Sequence, residues 1–248
     1  MPRIARKKSF SGYYHVIIRG TNKKTIFREA KDYEALLKRI KKYMVEDNVH
    51  ICAYCLMSNH VHFLIQAELE NLTLFMRRIG ISYSAYFNKK YECTGHLFQD
   101  RFKSEVIENE KYFLNVYRYI LRNPTKAGIC SAEEYTWSSL YELNYDRGIT
   151  DFNFIYQYVN NKNELLSFVG EETDDLVMEY DTCKKDDDWA KSVLKKVLDL
   201  RGETTLNMFD KADRSEIISC LVKEGLTIAQ ISRVTNISRG VVRRIVKE

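Results

Sequence analysis

Two strand-like runs, residues 49–57 and 60–66, are parted only by Ser58 and Asn59, both turn formers. A connection of two residues forces the second strand back beside the first, so this stretch is predicted as an antiparallel hairpin. Any wider architecture has to be built around that pair.

Residues 13–19 (YYHVIIR) are aromatic and β-branched and end at Gly20, which suits a further strand, and residues 102–108 alternate enough to make another. Between the strands, apolar residues recur at helical spacing. Leu36, Leu37, Ile40, Tyr43 and Met44 mark a helix over 31–47; a second covers 72–91, and a third covers 110–122, stopped by Pro124. The order strand, helix, hairpin, helix, strand, helix predicts an α+β fold, a ferredoxin-like antiparallel sheet with helices on one face.

Beyond this unit, expected over residues 1–145, the pattern weakens into an acidic, partly helical connector over 146–204, with helix signals at 154–159 and 189–200. Residues 205–248 carry three short amphipathic segments, 215–223, 228–234 and 238–246, with the spacing of an all-α helix-turn-helix tail. Charge follows the same division. Lys and Arg outnumber Asp and Glu by 23 to 12 over residues 1–130 and by 8 to 5 over 205–248, but are outnumbered 17 to 8 over 131–204. Basic surfaces attract polyanions by counterion release, so both ends are candidate nucleic-acid binders and the middle is not.

No apolar run approaches the roughly 18 residues that a membrane span needs, and the basic start of the chain (Arg3, Arg6, Lys7, Lys8) leads into no apolar leader, so a cytoplasmic protein with no membrane partner is expected. The six cysteines are scattered and read as reduced thiols. Cys52 and Cys55 form a C-x-x-C, but no second pair accompanies them and they fall in a predicted strand, which argues against zinc.

In a strand, residues two apart share a face, so His60 and His62 project together while Val61 and Phe63 turn to the core on the other side. Two neutral imidazoles side by side can hold a divalent ion; alone, they are equally a pair of surface histidines. The third helix supplies context. Phe113, Val116, Tyr117, Ile120 and Leu121 form its apolar face, and Tyr119 and Asn123, one turn apart, form a polar flank able to look into a cleft. A phenol there can attack while an amide carbonyl supplies an oxygen ligand to a metal. Asn123 precedes a proline, which biases it out of helical geometry at the helix end.

His60-Val61-His62 within MSNHVHFLI, followed by Tyr119-Ile-Leu-Arg-Asn123-Pro124, resembles the HUH single-tyrosine transposases, and within them the REP-associated tyrosine transposases. Tyr14-His15-Val16 with Arg19-Gly20, Phe87-Asn88, Gly95-His96-Leu97-Phe98, Arg101-Phe102-Lys103-Ser104 and Trp137-Ser138-Ser139 extend the likeness over residues 10–141. The resemblance implies a DNA strand transferase in which His60, His62 and Asn123 hold Mg²⁺ or Mn²⁺ and Tyr119 attacks phosphorus, leaving a 5′-phosphotyrosine. Its implied partner is single-stranded DNA with hairpin structure, and the protein is expected as a monomer or homodimer. Arg101 and Lys103, at alternate positions of one predicted strand, share a face and are expected to contact phosphates, with Arg77, Arg78 and the amino-terminal arm as weaker candidates.

The tail resembles a resolvase-like or sigma-factor-like helix-turn-helix, with Arg239, Arg243 and Arg244 presented to duplex DNA and Val241, Val242 and Ile245 packed inward. Competing readings are a non-catalytic, sequence-specific DNA-binding regulator that keeps the fold, and a metallonuclease in which water attacks; for the tail, the competitor is a small bundle that binds protein.

Overall fold

The predicted hairpin forms the middle of a four-stranded antiparallel sheet in the computed structural model, which describes residues 6–171, 177, 187–199, 211–224 and 226–247. The strands are β1 (Tyr13–Arg19), β2 (His50–Met57), β3 (His60–Gln66) and β4 (Lys103–Ile107), in the order β2-β3-β1-β4, which is the ferredoxin-like arrangement. Three helices accompany them: α1 (Ala30–Glu46), α2 (Leu69–Lys90) and α3 (Glu110–Lys126). A capping box between Glu29 and Asp32 starts α1, and the Asn109 side chain accepts from Tyr112 N at 2.8 Å to start α3.

The alternation along each strand sorts the core into two layers. Val16, Ile18, Leu56, Val61, Phe63 and Ile65 pack with Leu36 and Ile40 of α1 and Phe75, Ile79 and Tyr83 of α2. Ala53, Cys55, Met57 and Leu64 point the other way and pack with Phe113, Val116, Tyr117 and Ile120 of α3. The expectation of helices on one face therefore holds for α1 and α2 and is corrected for α3. Two helices already fill the first face, so the apolar stripe of a third can be buried only on the second.

Pro124 does not stop α3, which continues to Lys126 with the proline inside it. Proline has no N–H to give the carbonyl of residue 120. The Asn123 side-chain amide donates to Tyr119 O at 2.9 Å and to Ile120 O at 3.3 Å, supplying a donor where the backbone lacks one, so Asn123 stays inside the helix and not beyond its end.

The expected connector is also corrected. The chain divides into two units, residues 1–180 and 181–248, and much of the stretch after residue 130 belongs to the first. Its opening part closes the outer edge of β2: Leu56 N donates to Trp137 O (2.9 Å), Tyr54 N to Ser139 Oγ (2.7 Å) and Tyr135 Oη to Leu56 O (2.6 Å). An edge strand left bare would invite pairing with other chains, and here its donors and acceptors are occupied. The helix signal at 154–159 becomes a short 3-10 turn at Phe152–Phe154 and further turns, followed by α4 (Lys162–Gly170), whose Leu165 and Val169 enter the α3 layer.

In the second unit, α5 (Asp187–Asp199), α6 (Lys211–Lys223), α7 (Ile228–Thr235) and α8 (Arg239–Lys247) share a small core of Ala190, Leu198, Ile217, Leu221, Ile231 and Val242. The tail thus has a fourth helix drawn from the expected connector. Thr227 and Gln230 form a capping box at the start of α7, and Asn236, in the left-handed region at φ 57°, ends it three residues before α8. The boundary expected at residue 204 and Arg3 of the basic arm lie outside the described residues. Among the described residues no helix is long and apolar enough to cross a membrane.

Candidate metal and nucleophile site

Strand register brings the polar residues of the second sheet face together. Arg19 of β1 is paired with His60 of β3, and Ile17 with His62; on its other side Ile17 is paired with Lys103 of β4. Gly20 ends β1 tightly: a Cβ there would lie 2.2 Å from Lys24 O, and its N–H donates to Asn59 O at 2.9 Å. That contact seats the β2–β3 turn beside Arg19 and His60.

His60 is half-buried and its Nδ1 lies 2.6 Å from Asn59 Oδ1, whereas His62 is buried. Their rings sit 4.9 Å apart, centroid to centroid, at 81°. Tyr119 comes down from α3 onto them, its ring 5.6 Å from that of His62 and edge-on to it, and Lys126 Nζ lies 4.6 Å over the Tyr119 ring. The predicted histidines and tyrosine are therefore in one cluster, with Tyr119 only 8% exposed and not on an open flank. Asn123, one turn further along α3, is held by the two carbonyl contacts already described.

Burial, with further push from the neighbouring His60, His15 and Arg19, holds His62 well below the usual imidazole pKa, so it is a neutral lone-pair donor. Tyr117, by contrast, is fully buried under α3 with no hydrogen bond to its hydroxyl, and burial pushes its phenol up. Of the two neighbouring tyrosines, only Tyr119 meets the histidines. Among the described residues no group of three or more His, Cys, Asp or Glu could hold a metal ion. The donors brought together are the imidazoles of His60 and His62, which suit a divalent transition ion such as Mn²⁺, while the Asn123 amide is turned to carbonyls of its own helix.

Other expected residues fare differently. Lys103 opens β4 on the histidine face, but Arg101 precedes the strand, exposed, with its N–H bonded to its own neighbour Asp100 at 2.7 Å. The shared strand face expected for the two is corrected: the chain bends before Lys103. Arg6 joins them, its guanidinium 3.7 Å over the Phe102 ring. Arg78 is engaged elsewhere, 2.9 Å from Glu46 and 2.8 Å from Asp47. Cys52 and Cys55 are buried in the α3 layer and burial raises both thiols, which fits packing and not metal binding. In the second unit Arg239, Arg243 and Arg244 are exposed and Val242 is buried, but Val241 is 43% exposed, a correction that follows from its place on the arginine side of α8.

Sequence reasoning missed two residues. His15 lies on the histidine face of β1, with Nε2 3.1 Å from His62 Nδ1 and its ring 5.9 Å from Tyr119. A lone histidine between Tyr14 and Val16, sharing strand parity with Arg19, was the available signal. Lys126, seven residues after Tyr119 and so on the same side of α3, was legible from helical spacing.

Residues 8–123 match the family model described as Transposase IS200 like. Solved structures resemble the chain, two of them as follows. A REP-associated tyrosine transposase bound to a REP hairpin is 17% identical, covering 72% of this chain and 100% of its own, with a TM-score of 0.49. A candidate transposase from Deinococcus radiodurans R1 is 13% identical, covering 53% and 98%, with a TM-score of 0.34. A search of curated proteins found no match.

Proposed function

We propose, from the match of residues 8–123 to the family model described as Transposase IS200 like, that Tyr119 cuts and rejoins single-stranded DNA beside a hairpin, in a site that His60, His62 and Asn123 complete with Mg²⁺ or Mn²⁺. What supports the reading is the packing of Tyr119 directly against His62, beside His60, from a different element of the fold.

The Tyr119 oxygen attacks phosphorus in line, the P–O3′ bond breaks, the phenol gives up its proton and the departing 3′ oxygen gains one. The product is a 5′-phosphotyrosine and a free 3′-hydroxyl. A divalent ion held by His60, His62 and Asn123 would offset charge on the phosphoryl oxygens. Lys126, over the Tyr119 ring, sets a positive charge beside the nucleophile. Burial of Tyr119 between α3 and β3 fixes its approach, and such a displacement needs a positioned nucleophile more than a strong base. With a pKa of ~10, a phenol leaves more readily than an alkoxide, so a DNA 3′-hydroxyl reverses the step without ATP. Lys103, on this face, serves the DNA backbone, and the exposed Arg101 with Arg6 over the Phe102 ring extends the basic surface beside it.

The test is incubation of a labelled single-stranded hairpin substrate with Mg²⁺ or Mn²⁺ and capture of protein-linked DNA. Wild type and Tyr117→Phe form the adduct; Tyr119→Phe forms none. Equal adduct in both variants, or cleavage with no protein-linked DNA, rejects the assignment.

For the second unit, the exposed Arg239, Arg243 and Arg244 on α8 support duplex DNA as partner. Replacing all three with alanine is expected to weaken duplex binding and lower its salt dependence by up to about three phosphate contacts' worth of slope. An unchanged salt slope would point to a protein partner.

A further inference from the structure

His15 is wholly buried at the centre of β1. It bonds through one ring nitrogen: Nε2 lies 3.1 Å from His62 Nδ1, while its Nδ1 has no hydrogen-bond partner. We propose that His15 is a positioning residue that accepts the Nδ1–H of His62 and so holds His62 in the tautomer whose Nε2 lone pair faces a divalent ion. The inference rests on the reading of His60 and His62 as ligands.

Proton counting carries it. One hydrogen lies between the two facing nitrogens. If His15 Nε2 carries it, neutral His62 keeps its own proton on Nε2 and that nitrogen is closed to a cation. If His62 Nδ1 carries it, Nε2 is a bare lone pair and neutral His15 holds its proton on Nδ1. The count follows from the contact: two ring nitrogens 3.1 Å apart, both closed off from water, share one hydrogen. Protons on both facing nitrogens would instead set N–H against N–H.

Geometry agrees with a fixed orientation. The two rings are 5.4 Å apart and within 19° of parallel, and Tyr119 stands edge-on to both, so turning His62 would disturb the tyrosine as well. Metal-binding histidines commonly donate their second N–H to a carboxylate or carbonyl, and losing that partner costs roughly 10–100-fold in metal affinity. Here the acceptor is an uncharged imidazole, which sets direction without adding negative charge beside an incoming phosphate.

The experiment measures Mn²⁺ affinity of the full chain for wild type, His62→Ala, His15→Leu and His15→Gln. The expected result is loss of binding in His62→Ala, a roughly 10–100-fold weakening in His15→Leu, and recovery of most of it in His15→Gln, whose side-chain oxygen can accept the same N–H. Wild-type affinity in His62→Ala would overturn the ligand reading itself. Loss in His62→Ala with wild-type affinity in His15→Leu would overturn the role of His15 alone. If His15→Leu does not fold, nitrogen NMR of labelled histidines in the Mg²⁺-loaded wild type decides: a proton on His15 Nδ1 supports the proposal and one on His15 Nε2 overturns it.

Discussion

The two faces of the sheet come from the same alternation, but one is apolar throughout and the other sets a polar cluster into an apolar layer. Toward α1 and α2, β1 and β3 present Val16, Ile18, Val61, Phe63 and Ile65, an apolar set closed from water. Toward α3, the same strands present His15, Arg19, His60 and His62, with Lys103 joining from β4. Residues adjacent in sequence therefore have unrelated tasks: Phe63 fills a core while His62 faces a tyrosine. A pleated strand lets one segment serve both because successive side chains never share an environment. The apolar face supplies the rigidity on which the polar face depends.

The largest effect that can break this division is a pair of truncations on β3. Phe63→Ala is expected to lower unfolding free energy by ~3–5 kcal/mol while leaving adduct formation by the remaining folded protein near wild type. His60→Ala, at a half-buried position, is expected to stay within about 0.5 kcal/mol of wild type and yet lose adduct formation and Mn²⁺ binding. Denaturant unfolding alongside the adduct assay measures both. The reverse pattern, or loss of both properties in both variants, would mean that the faces are not separable.

A smaller effect sharpens the comparison through pH. His15, at about 3 when folded against 6.5 ordinarily, stays neutral when folded while the unfolded chain takes up a proton. Its contribution to stability is complete above pH 6.5 and is lost as pH falls toward 3. On the other face, burial alone would raise Asp32, but bonds from Lys90 (2.5 Å), Tyr91 (2.7 Å), Arg28 N (2.8 Å) and Tyr86 (3.0 Å) outweigh it and lower the carboxyl to about 2 from 3.8. That clamp between α1 and α2 weakens only below pH 3.8. Metal-free protein should thus lose stability in two stages, the first beginning near 6.5 and diminished in His15→Gln; a flat profile between pH 7 and 4 would contradict a neutral, buried histidine face.

Most of the fold was legible because local patterns and tertiary demands agree. The hairpin, the helical stripes of α1 and α2, and the capping signals each bury what their own periodicity exposes. Pro124 misled because the rule that proline ends a helix considers the backbone alone, whereas Asn123 repairs the missing donor with its side chain. The segment after residue 145 misled because its acidic composition hides the apolar residues, Ile155, Leu165 and Val169, that it contributes to the α3 layer.

By itself the sequence determined the strands, their pairing across Ser58 and Asn59, and the two short motifs that name His60, His62, Tyr119 and Asn123, since period and turn chemistry are properties of neighbouring residues. Which face α3 covers, and hence that Tyr119 meets the histidines and that His15 lies behind His62, was decided only by the tertiary structure. Those contacts join residues 47 to 104 positions apart, and no local period reports on a partner that reaches a face only after the other is filled.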